Sequence, residues 1–339
     1  MLAVYITKPG GPQTVRIRET SKPERHQGEA LVRVKAAGLN YAEIVVRRGL
    51  YPDAPKCPFI PGYELSGIIE EVGSDSDLRA GDRVMGANLF GCQAEYATLP
   101  VNQLFRIPDN LSFQQAAAIP VNYLTAYYAV FQFGNLEQGD KVLIHSCAGG
   151  VGTAAVQLAQ TKKAEVFGTT SRPEKVEYLR QIGVQHPINY KAEDFVETVQ
   201  KVAGKKGIDL VLDPVGGPVF RKSFRLLRPG GRIVCYGVAD LTAGGKRNFP
   251  RLLWKFLTLP RPSTLELMQH NRGIFGLALN RLLDNPERLK SIIEKLLGFF
   301  EAGSIKPNIY RTYDFRQVSE AHAELESGKT MGKIILKFD

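Results

Sequence analysis

Two hydrophobic patterns follow one another along the chain. In the first 120 residues, short apolar and alternating runs are separated by turns rich in glycine, proline and aspartate, such as Lys8-Pro9-Gly10-Gly11. This pattern is typical of antiparallel strands joined by turns. It predicts a compact, mostly antiparallel β domain with strands over 1–6, 30–36, 65–72 and 82–85.

After about residue 123, apolar strand patterns alternate with amphipathic helix patterns at the spacing of βαβ units. Strands are predicted over 141–145, 165–169, 209–212, 232–236 and 273–277. Helices are predicted over 150–160, 174–182 and 219–227. This alternation favours a doubly wound parallel sheet, so the predicted fold class is α/β with two domains.

The last part of the chain carries a helix pattern over 286–302, with Pro286 at its first turn and an apolar stripe at helical spacing. A helix over 317–326 and a strand over 333–338 follow, and we expect this tail to return to the first domain. The predicted divisions are 1–123, 124–277 with an insertion at about 240–272, and 278–339.

Composition narrows the class of protein only in part. The 339 residues carry a net charge of +10, and their four cysteines form no C-x-x-C pair. Without a disulfide framework or a signal-peptide pattern, a reducing, cytoplasmic location is expected. The window from Arg221 to Arg261 alone holds +9, which leaves nucleic acid, a membrane surface and small anions open as partners.

A glycine-rich loop follows the strand predicted over 141–145. It reads Ser146-Cys147-Ala148-Gly149-Gly150-Val151-Gly152 and leads into a helix pattern. Against the dinucleotide-binding pattern G-x-G-x-x-G, Gly149 and Gly152 take the second and third glycine positions, and Cys147 replaces the first. Its place between strand and helix favours a pyrophosphate site over a tight turn without a ligand. The residues of that site are Gly149, Gly150, Val151 and Gly152.

The end of the next strand bears on the cofactor. NAD sites usually place an acid there to hold the ribose 2′-hydroxyl. The segment instead reads Gly168-Thr169-Thr170-Ser171-Arg172, followed by Lys175. Hydroxyls and two cations suit a 2′-phosphate, which favours NADPH over NADH. The alternative is that Arg172 and Lys175 are the solvated start of a helix.

Short motifs along the chain carry a family resemblance. They are Ala37-Gly38-Leu39-Asn40, Arg48-Gly49-Leu50-Tyr51-Pro52, Pro61-Gly62-Tyr63-Glu64-Leu65-Ser66-Gly67, Ala80-Gly81-Asp82-Arg83-Val84, the glycine-rich loop, Asp213-Pro-Val-Gly-Gly217 and Gly332-Lys333-Ile334. Together they resemble the medium-chain dehydrogenase/reductase superfamily, in its zinc-independent quinone oxidoreductase (zeta-crystallin-like) branch. The segments 237–248 and 271–276 resemble its vesicle-amine-transport-protein-like sub-branch.

The resemblance implies a GroES-like catalytic domain, a Rossmann domain, an active site in the cleft between them and a homodimer. Zinc-dependent members place a Cys ligand near Gly38-Leu39-Asn40 and a His between Gly62 and Glu64. Here Asn40 and Tyr63 stand at those places. Both ligand types that zinc prefers are missing, so no metal is expected, and Glu64 is interpreted as a structural hydrogen-bonding residue.

The resemblance also supplies candidate site residues. Asn40 is expected to bond the substrate oxygen or the nicotinamide ribose, or else to be a turn residue. Tyr51 faces the nicotinamide, as a stacking ring or a proton donor, or else packs on the β domain. Thr125 lies near the nicotinamide, or else bonds its own backbone. Tyr190 resembles a residue that lines the 2′-phosphate pocket. Gly237 and Phe275 are predicted at the ends of Rossmann strands, where the cofactor crevice opens.

Three functions stay open at this point. The first is NADPH-dependent reduction of quinones, which needs no Lewis acid because quinones are already electrophilic. The second is reduction of an alkenal or enoyl thioester with Tyr51 as proton donor. The third is a non-catalytic NADPH-binding protein of lipid or vesicle traffic. Nucleic acid has no motif support and is not expected.

Two further features have alternatives. Cys147 precedes a helix start, which could lower its thiol pKa, although simple packing is the commoner role of such a residue. The proline-bounded, basic segment over 246–261 holds the single tryptophan, Trp254. We expect it to cap the active site or join a dimer interface rather than to lie on a membrane.

Overall fold

The computed structural model describes residues 1–51, 53–74, 76–242, 261–283 and 285–339. These residues form two compact units. The first unit contains Met1–Leu124 and Leu279–Asp339, and the second contains Thr125–Ala278. The basic segment predicted over 246–261 lies outside the described residues, except for Arg261.

The regular elements follow the chain in this order. The strands are β1 (Leu2–Ile6), β2 (Val15–Glu19), β3 (Glu29–Leu39), β4 (Glu64–Val72), β5 (Arg83–Ala87), β6 (Tyr96–Pro100), β7 (Leu104–Arg106), β8 (Lys141–Ile144), β9 (Glu165–Thr170), β10 (His186–Asn189), β11 (Ile208–Asp213), β12 (Leu227–Cys235), β13 (Gly273–Gly276), β14 (Ile309–Asp314) and β15 (Lys333–Lys337). The helices are α1 (Tyr41–Arg47), α2 (Phe113–Ala116), α3 (Asn122–Tyr127), α4 (Gly150–Thr161), α5 (Pro173–Gln181), α6 (Phe195–Ala203), α7 (Gly217–Leu226), α8 (Ala239–Thr242), α9 (Thr264–His270), α10 (Pro286–Glu301) and α11 (Val318–Glu326).

The first unit is built on a sheet of seven strands. Its order is β14-β15-β3-β4-β5-β7, and β6 pairs with β3. The C-terminal strand β15 pairs antiparallel with β3, with Leu336 opposite Ala37, and only β14 and β15 run parallel. Alternate side chains of β3 and β4 enter a core with Val32, Val34 and Leu65 fully buried. The predicted antiparallel architecture is confirmed.

The second unit is a six-stranded parallel sheet in the order β10-β9-β8-β11-β12-β13. The order reverses between β8 and β11, as in a doubly wound sheet. The strands are apolar on both faces, and Leu143, Phe167, Val211 and Ile233 are fully buried. The predicted α/β fold class is confirmed. Because all six strands are parallel, their carboxyl ends lie along one edge, where such sheets bind ligands.

Candidate functional site

The glycine-rich loop joins β8 to α4 at the carboxyl edge of the parallel sheet. Ser146 turns the chain with a positive φ of 52°, and the Gly149 N–H donates to the Ser146 carbonyl at 2.9 Å. A Cβ at Gly152 would lie 2.7 Å from the carbonyl carbon of Cys147, so only glycine lets α4 approach the loop this closely. A Cβ at Gly149 would meet only the Ser146 carbonyl oxygen, at 3.2 Å, which leaves its other side open to a ligand.

The start of α4 supplies donors for an anion. The helix begins at Gly150, and its first intrahelical bond runs from the Thr153 N–H to the Gly149 carbonyl at 2.8 Å. The N–H groups of Gly150, Val151 and Gly152 therefore have no partner within the helix. Gly150 and Val151 are partly exposed. This arrangement suits a pyrophosphate.

Two cations and two hydroxyl residues lie at the end of the neighbouring strand β9 and in the turn after it. Thr170 ends the strand, Ser171 and Arg172 form the turn, and Lys175 lies in the first turn of α5. The Lys175 side chain is buried, and burial and nearby Arg172 lower its pKa to about 8. Glu174 pairs instead with Arg172, at 3.7 Å. Within the described chain, no carboxylate lies at ion-pair distance from Lys175.

Tyr190 lies beside this turn. Its N–H donates to the Thr170 carbonyl at 3.0 Å, which extends the β9–β10 ladder by one residue. Its side chain is half exposed, as expected for a residue that borders a ligand site. The structure therefore brings Thr170, Ser171, Arg172 and Tyr190 to one corner of the sheet edge.

Three other predicted residues lie elsewhere in the second unit. Gly237 follows β12, where a Cβ would lie 2.6 Å from the Pro214 carbonyl oxygen. Phe275 lies within β13 and its ring stacks on that of Phe133, with centroids 5.6 Å apart. Thr125 is buried in α3. Gly237 is at the carboxyl edge, whereas Phe275 is one residue short of the end of its strand.

Cys147 is a packing residue. Its side chain is fully buried, and a Cβ at Gly168 would lie 2.7 Å from its Sγ, so it fills the space between the loop and β9. Burial raises the pKa of its thiol, because the thiolate would lose its hydration. The alternative of a reactive thiol with a lowered pKa is wrong.

In the first unit, Asn40 belongs to a buried polar cluster around Lys333. The Lys333 ammonium donates to Glu64 Oε1 at 2.5 Å, Asn40 Oδ1 at 2.6 Å and Asn122 Oδ1 at 3.3 Å. Asn40 Nδ2 donates to Glu64 Oε1 at 2.9 Å, and the Val121 N–H donates to Glu64 Oε2 at 2.7 Å. The interpretation of Glu64 as a hydrogen-bonding residue is confirmed.

A second carboxyl group borders this cluster. Glu43 accepts from the Asn40 N–H at 3.2 Å and from Gln93 Nε2 at 2.5 Å. Its burial raises its pKa to about 8, although Lys333 acts in the opposite direction. Asn40 is therefore the residue that precedes α1 and is held by two side chains, not a free turn residue.

These residues do not fit a zinc ion. The places where zinc-dependent relatives would carry Cys and His hold the amide of Asn40 and the phenol of Tyr63. The cluster already contains the positive charge of Lys333, whose three donors are all used. Among the described residues, no group of three His, Cys, Asp or Glu side chains could hold a metal ion.

Tyr51 lies on the first unit and packs against its core. Its ring centroid is 6.5 Å from that of Tyr63. Burial, helped by the negative charge of Asp53, raises the pKa of Tyr51, so its phenol keeps its proton at neutral pH. Such a group can donate a hydrogen bond, but it releases its proton less readily than free tyrosine.

Two buried polar residues were given no role by the sequence. His145 directly follows β8 and contacts Thr169 Oγ1 at 2.9 Å and Ser223 Oγ at 2.7 Å. Its burial lowers its pKa to about 3, so it is neutral and serves to tie β9 to α7. Asp213 Oδ1 accepts from the N–H groups of Val215 and Gly216, which shapes the turn after β11.

Family models match both parts of the chain. Residues 26–109 match the alcohol dehydrogenase GroES-like domain, and residues 182–336 match a model described as zinc-binding dehydrogenase. The human synaptic vesicle membrane protein VAT-1 homolog is 40% identical over 337 residues, covering 98% of this chain and 85% of that protein. Human quinone oxidoreductase is 30% identical over 340 residues, covering 99% and 97%.

Solved structures agree with this similarity. Escherichia coli quinone oxidoreductase complexed with NADPH superposes with a TM-score of 0.87 at 28% identity, over the whole of both chains. The CurK enoyl reductase superposes with a TM-score of 0.84 at 26% identity, over 100% of this chain and 99% of that one. No helix in the described ranges is long and apolar enough to cross a bilayer. The chain belongs to the medium-chain dehydrogenase/reductase superfamily, in the branch of the quinone oxidoreductases and the VAT-1 homologues.

Proposed function

We propose that the protein is an NADPH-dependent reductase that transfers hydride to quinones. The observation that carries the cofactor choice is the corner after β9, where Arg172 and buried Lys175 stand in place of an acid. A carboxylate there would accept the ribose hydroxyl of NADH and repel a 2′-phosphate. The NADPH-bound quinone oxidoreductase of Escherichia coli supports the same choice.

The described residues divide the work of holding the cofactor. The loop from Gly149 to Gly152 binds the pyrophosphate through backbone N–H groups. Ser171, Arg172 and Lys175 bind the 2′-phosphate, with Thr170 and Tyr190 beside them. We propose that Thr125 lies near the nicotinamide and that Gly237 and Phe275 line the cofactor crevice.

When bound, NADPH supplies a hydride, which reduces a quinone to the hydroquinone anion, and one proton completes the hydroquinone. The protein's part is to orient the two flat rings and to exclude water. We propose that Asn40, fixed by Glu64 and Lys333, presents its amide to the substrate oxygen or the nicotinamide ribose. Tyr51 stacks on a ring or delivers the proton, with solvent as the other source.

A second candidate is reduction of the double bond of an alkenal or enoyl thioester. Its support is the similarity to an enoyl reductase, with the phenol of Tyr51 as the group that would protonate the substrate carbon. A third candidate is a non-catalytic NADPH-binding protein of lipid or vesicle traffic. Its support is the name of the VAT-1 homologues. A homodimer and a cytoplasmic location stay predictions.

The test follows cofactor oxidation by the purified protein with a panel of quinones, alkenals and enoyl thioesters. We expect turnover with quinones, and a larger kcat/KM with NADPH than with NADH. Tyr51→Phe should lose only a few-fold on quinones, because solvent replaces the proton donor. Tyr41→Phe, which changes an exposed ring, is the matched control.

The other outcomes assign the other candidates. A loss of about a hundredfold or more for Tyr51→Phe on alkenals or enoyl thioesters, the size typical of a lost general acid, supports the second candidate. Tight NADPH binding without turnover on any substrate supports the third and excludes both reductases. Equal use of NADH contradicts the role assigned to Arg172 and Lys175.

A further inference from the structure

A second basic region lies at the opposite edge of the parallel sheet. Gly207 precedes β11, and Leu227 and Arg228 begin β12, so this is the edge where the strands start. A recess of about 260 Å³ opens there, lined by Arg225, Arg228 and Arg272. A neighbouring recess of about 250 Å³ shares Arg225 and adds Arg221 and Arg261. We call Arg221, Arg225, Arg261 and Arg272 the arginine groove.

The groove is separate from the glycine-rich loop. The loop follows the carboxyl end of β8, and the groove lies at the amino ends of β11 and β12 in the same sheet. Six residues of β11 at about 3.3 Å each place roughly 20 Å between the two edges. A cofactor held by the loop therefore does not fill the groove.

Arg272 is a partly buried cation without an ion-pair partner among the described residues. Its Nη2 donates to the Arg225 carbonyl at 3.2 Å, and its guanidinium lies 5.4 Å from the ring centroid of Phe224. Its Nε is buried and has no hydrogen-bond partner in the described part of the chain. Burial lowers the pKa of Arg272, and the nearby carboxylate of Glu266 acts in the opposite direction.

The neighbouring Arg228 is neutralised by acidic side chains of the described chain. It pairs with Asp209 and, at 3.8 Å, with Asp140. In contrast, Arg221, Arg225, Arg261 and Arg272 make no ion pair with any described residue. Among the described residues, Glu266 is the one acidic residue that lines the two recesses.

The missing counter-charge is not supplied by the rest of this region. Residues 243–260 carry four Lys or Arg residues and no Asp or Glu. Whatever their placement, they add positive charge. Between residues 243 and 272 the sequence holds one acidic residue, Glu266, so an anion that neutralises the groove further would come from outside this segment.

We propose that the arginine groove binds a small soluble molecule that carries two or more phosphate groups. Guanidinium forks match phosphate oxygens in pairs, and two recesses joined at Arg225 match a ligand with separated anionic groups. Each recess is slightly smaller than a typical small-molecule pocket of about 300–1,000 Å³. The stacked rings of Phe220 and Phe224 offer an apolar wall to the carbon skeleton. This proposal is independent of the reductase activity.

The experiment is a calorimetric titration of the NADPH-saturated protein with inorganic tripolyphosphate. Saturation keeps the probe from the glycine-rich loop. We expect one site per chain, with inorganic phosphate binding at least about tenfold more weakly because it engages fewer guanidinium groups. The double variant Arg225→Gln/Arg272→Gln should lose at least about tenfold in affinity. It should fold as well as the parent, because it removes unneutralised cations.

Controls separate a site from general attraction. Lys201→Gln removes one exposed positive charge from α6, close to the groove but not part of it, and should leave the affinity within about twofold. Arg221→Gln/Arg261→Gln changes only exposed side chains and should weaken binding by at least about threefold. An unchanged affinity in both double variants would overturn the proposal. So would an equal loss in Lys201→Gln, or tighter binding of single-stranded oligonucleotides or anionic vesicles than of tripolyphosphate.

Discussion

Each unit of this protein buries a lysine, and the two lysines have opposite surroundings. Lys333 is 3% exposed and donates to three oxygen atoms within 3.3 Å, one of them the carboxylate oxygen of Glu64. Lys175 is 7% exposed, and no described carboxylate lies within ion-pair distance of it. Burial alone does not separate the structural cation Lys333 from Lys175, the cation proposed to bind a ligand. The difference is whether the protein itself supplies the anion.

Burying the ammonium group has a similar cost at Lys333 and at Lys175, but the consequences differ. Removing an ammonium from water is unfavourable in both places. At Lys333 the cost is offset inside the folded chain, so the charge fixes Glu64 and Asn40. At Lys175 it is not offset, and the pKa falls to about 8. A phosphate ligand would offset this desolvation cost when it binds, which would strengthen the affinity for that ligand. The same contrast separates Arg228 from Arg272 in the arginine groove.

The largest effect on stability is expected when Lys333, which is paired with Glu64, is replaced. Lys333→Met leaves Glu64 buried without its cation, and breaking a buried pair in this way costs about 3–5 kcal/mol. Urea unfolding at pH 7 should show this loss in the free energy of unfolding. Lys337→Met, an exposed position on the same strand, is the control and should change it by less than about 0.5 kcal/mol. Equal stability of the two variants would mean that the ion pair of Lys333 and Glu64 does not stabilise the fold.

A smaller effect, with the opposite sign for stability, is expected at the other lysine. Lys175→Met should raise the Kd for NADPH about 10- to 100-fold, the size of a lost charge-assisted hydrogen bond, and leave the Kd for NADH unchanged. Its free energy of unfolding should stay the same or rise, because an unneutralised buried charge is removed. Fluorescence titration with both cofactors measures the first effect, and urea unfolding the second.

Lys201→Met serves as the control for this comparison, since it removes an exposed charge from the same unit. If Lys175→Met destabilised the protein as much as Lys333→Met does, the two surroundings would be equivalent and the contrast would fail. An equal loss for NADPH and NADH would move Lys175 away from the 2′-phosphate.

The sequence predicted the elements around Lys175 better than the cluster around Lys333. The first are close together along the chain, whereas the second joins distant residues. The glycine-rich loop, β9 and the turn with Arg172 and Lys175 are local features, so periodicity and turn chemistry located them to within a residue or two. The Lys333 cluster joins residues up to 293 positions apart. In the sequence, Lys333 belongs to the motif Gly332-Lys333-Ile334, which indicates no partner for its side chain.

Three local features differ between the prediction and the structure. The helix α1 begins directly after β3 and Asn40, a position that is interpreted from the sequence by its lack of a zinc ligand and not as a helix start. The helix α6 was not predicted, although Phe195, Val199 and Ala203 recur at a spacing of four and are buried. The position of Cys147 suggested reactivity from a helix start, but burial decides its pKa.

The smallest expected effect is a change of cofactor preference with pH. A protonated Lys175 attracts the 2′-phosphate and a neutral one does not. With a pKa of about 8 in the free protein, the NADPH affinity should be constant near pH 7 and fall as the pH rises through 8, by at most about tenfold per pH unit. NADH lacks the phosphate, so its affinity should stay flat, and the ratio of the two Kd values isolates Lys175 from other titrating groups. Titrations between pH 7 and 9.5 avoid protonation of the phosphate itself, whose second pKa is about 6. Lys175→Met should abolish the slope, and a parent ratio that does not change with pH would show that Lys175 is not the group facing the phosphate.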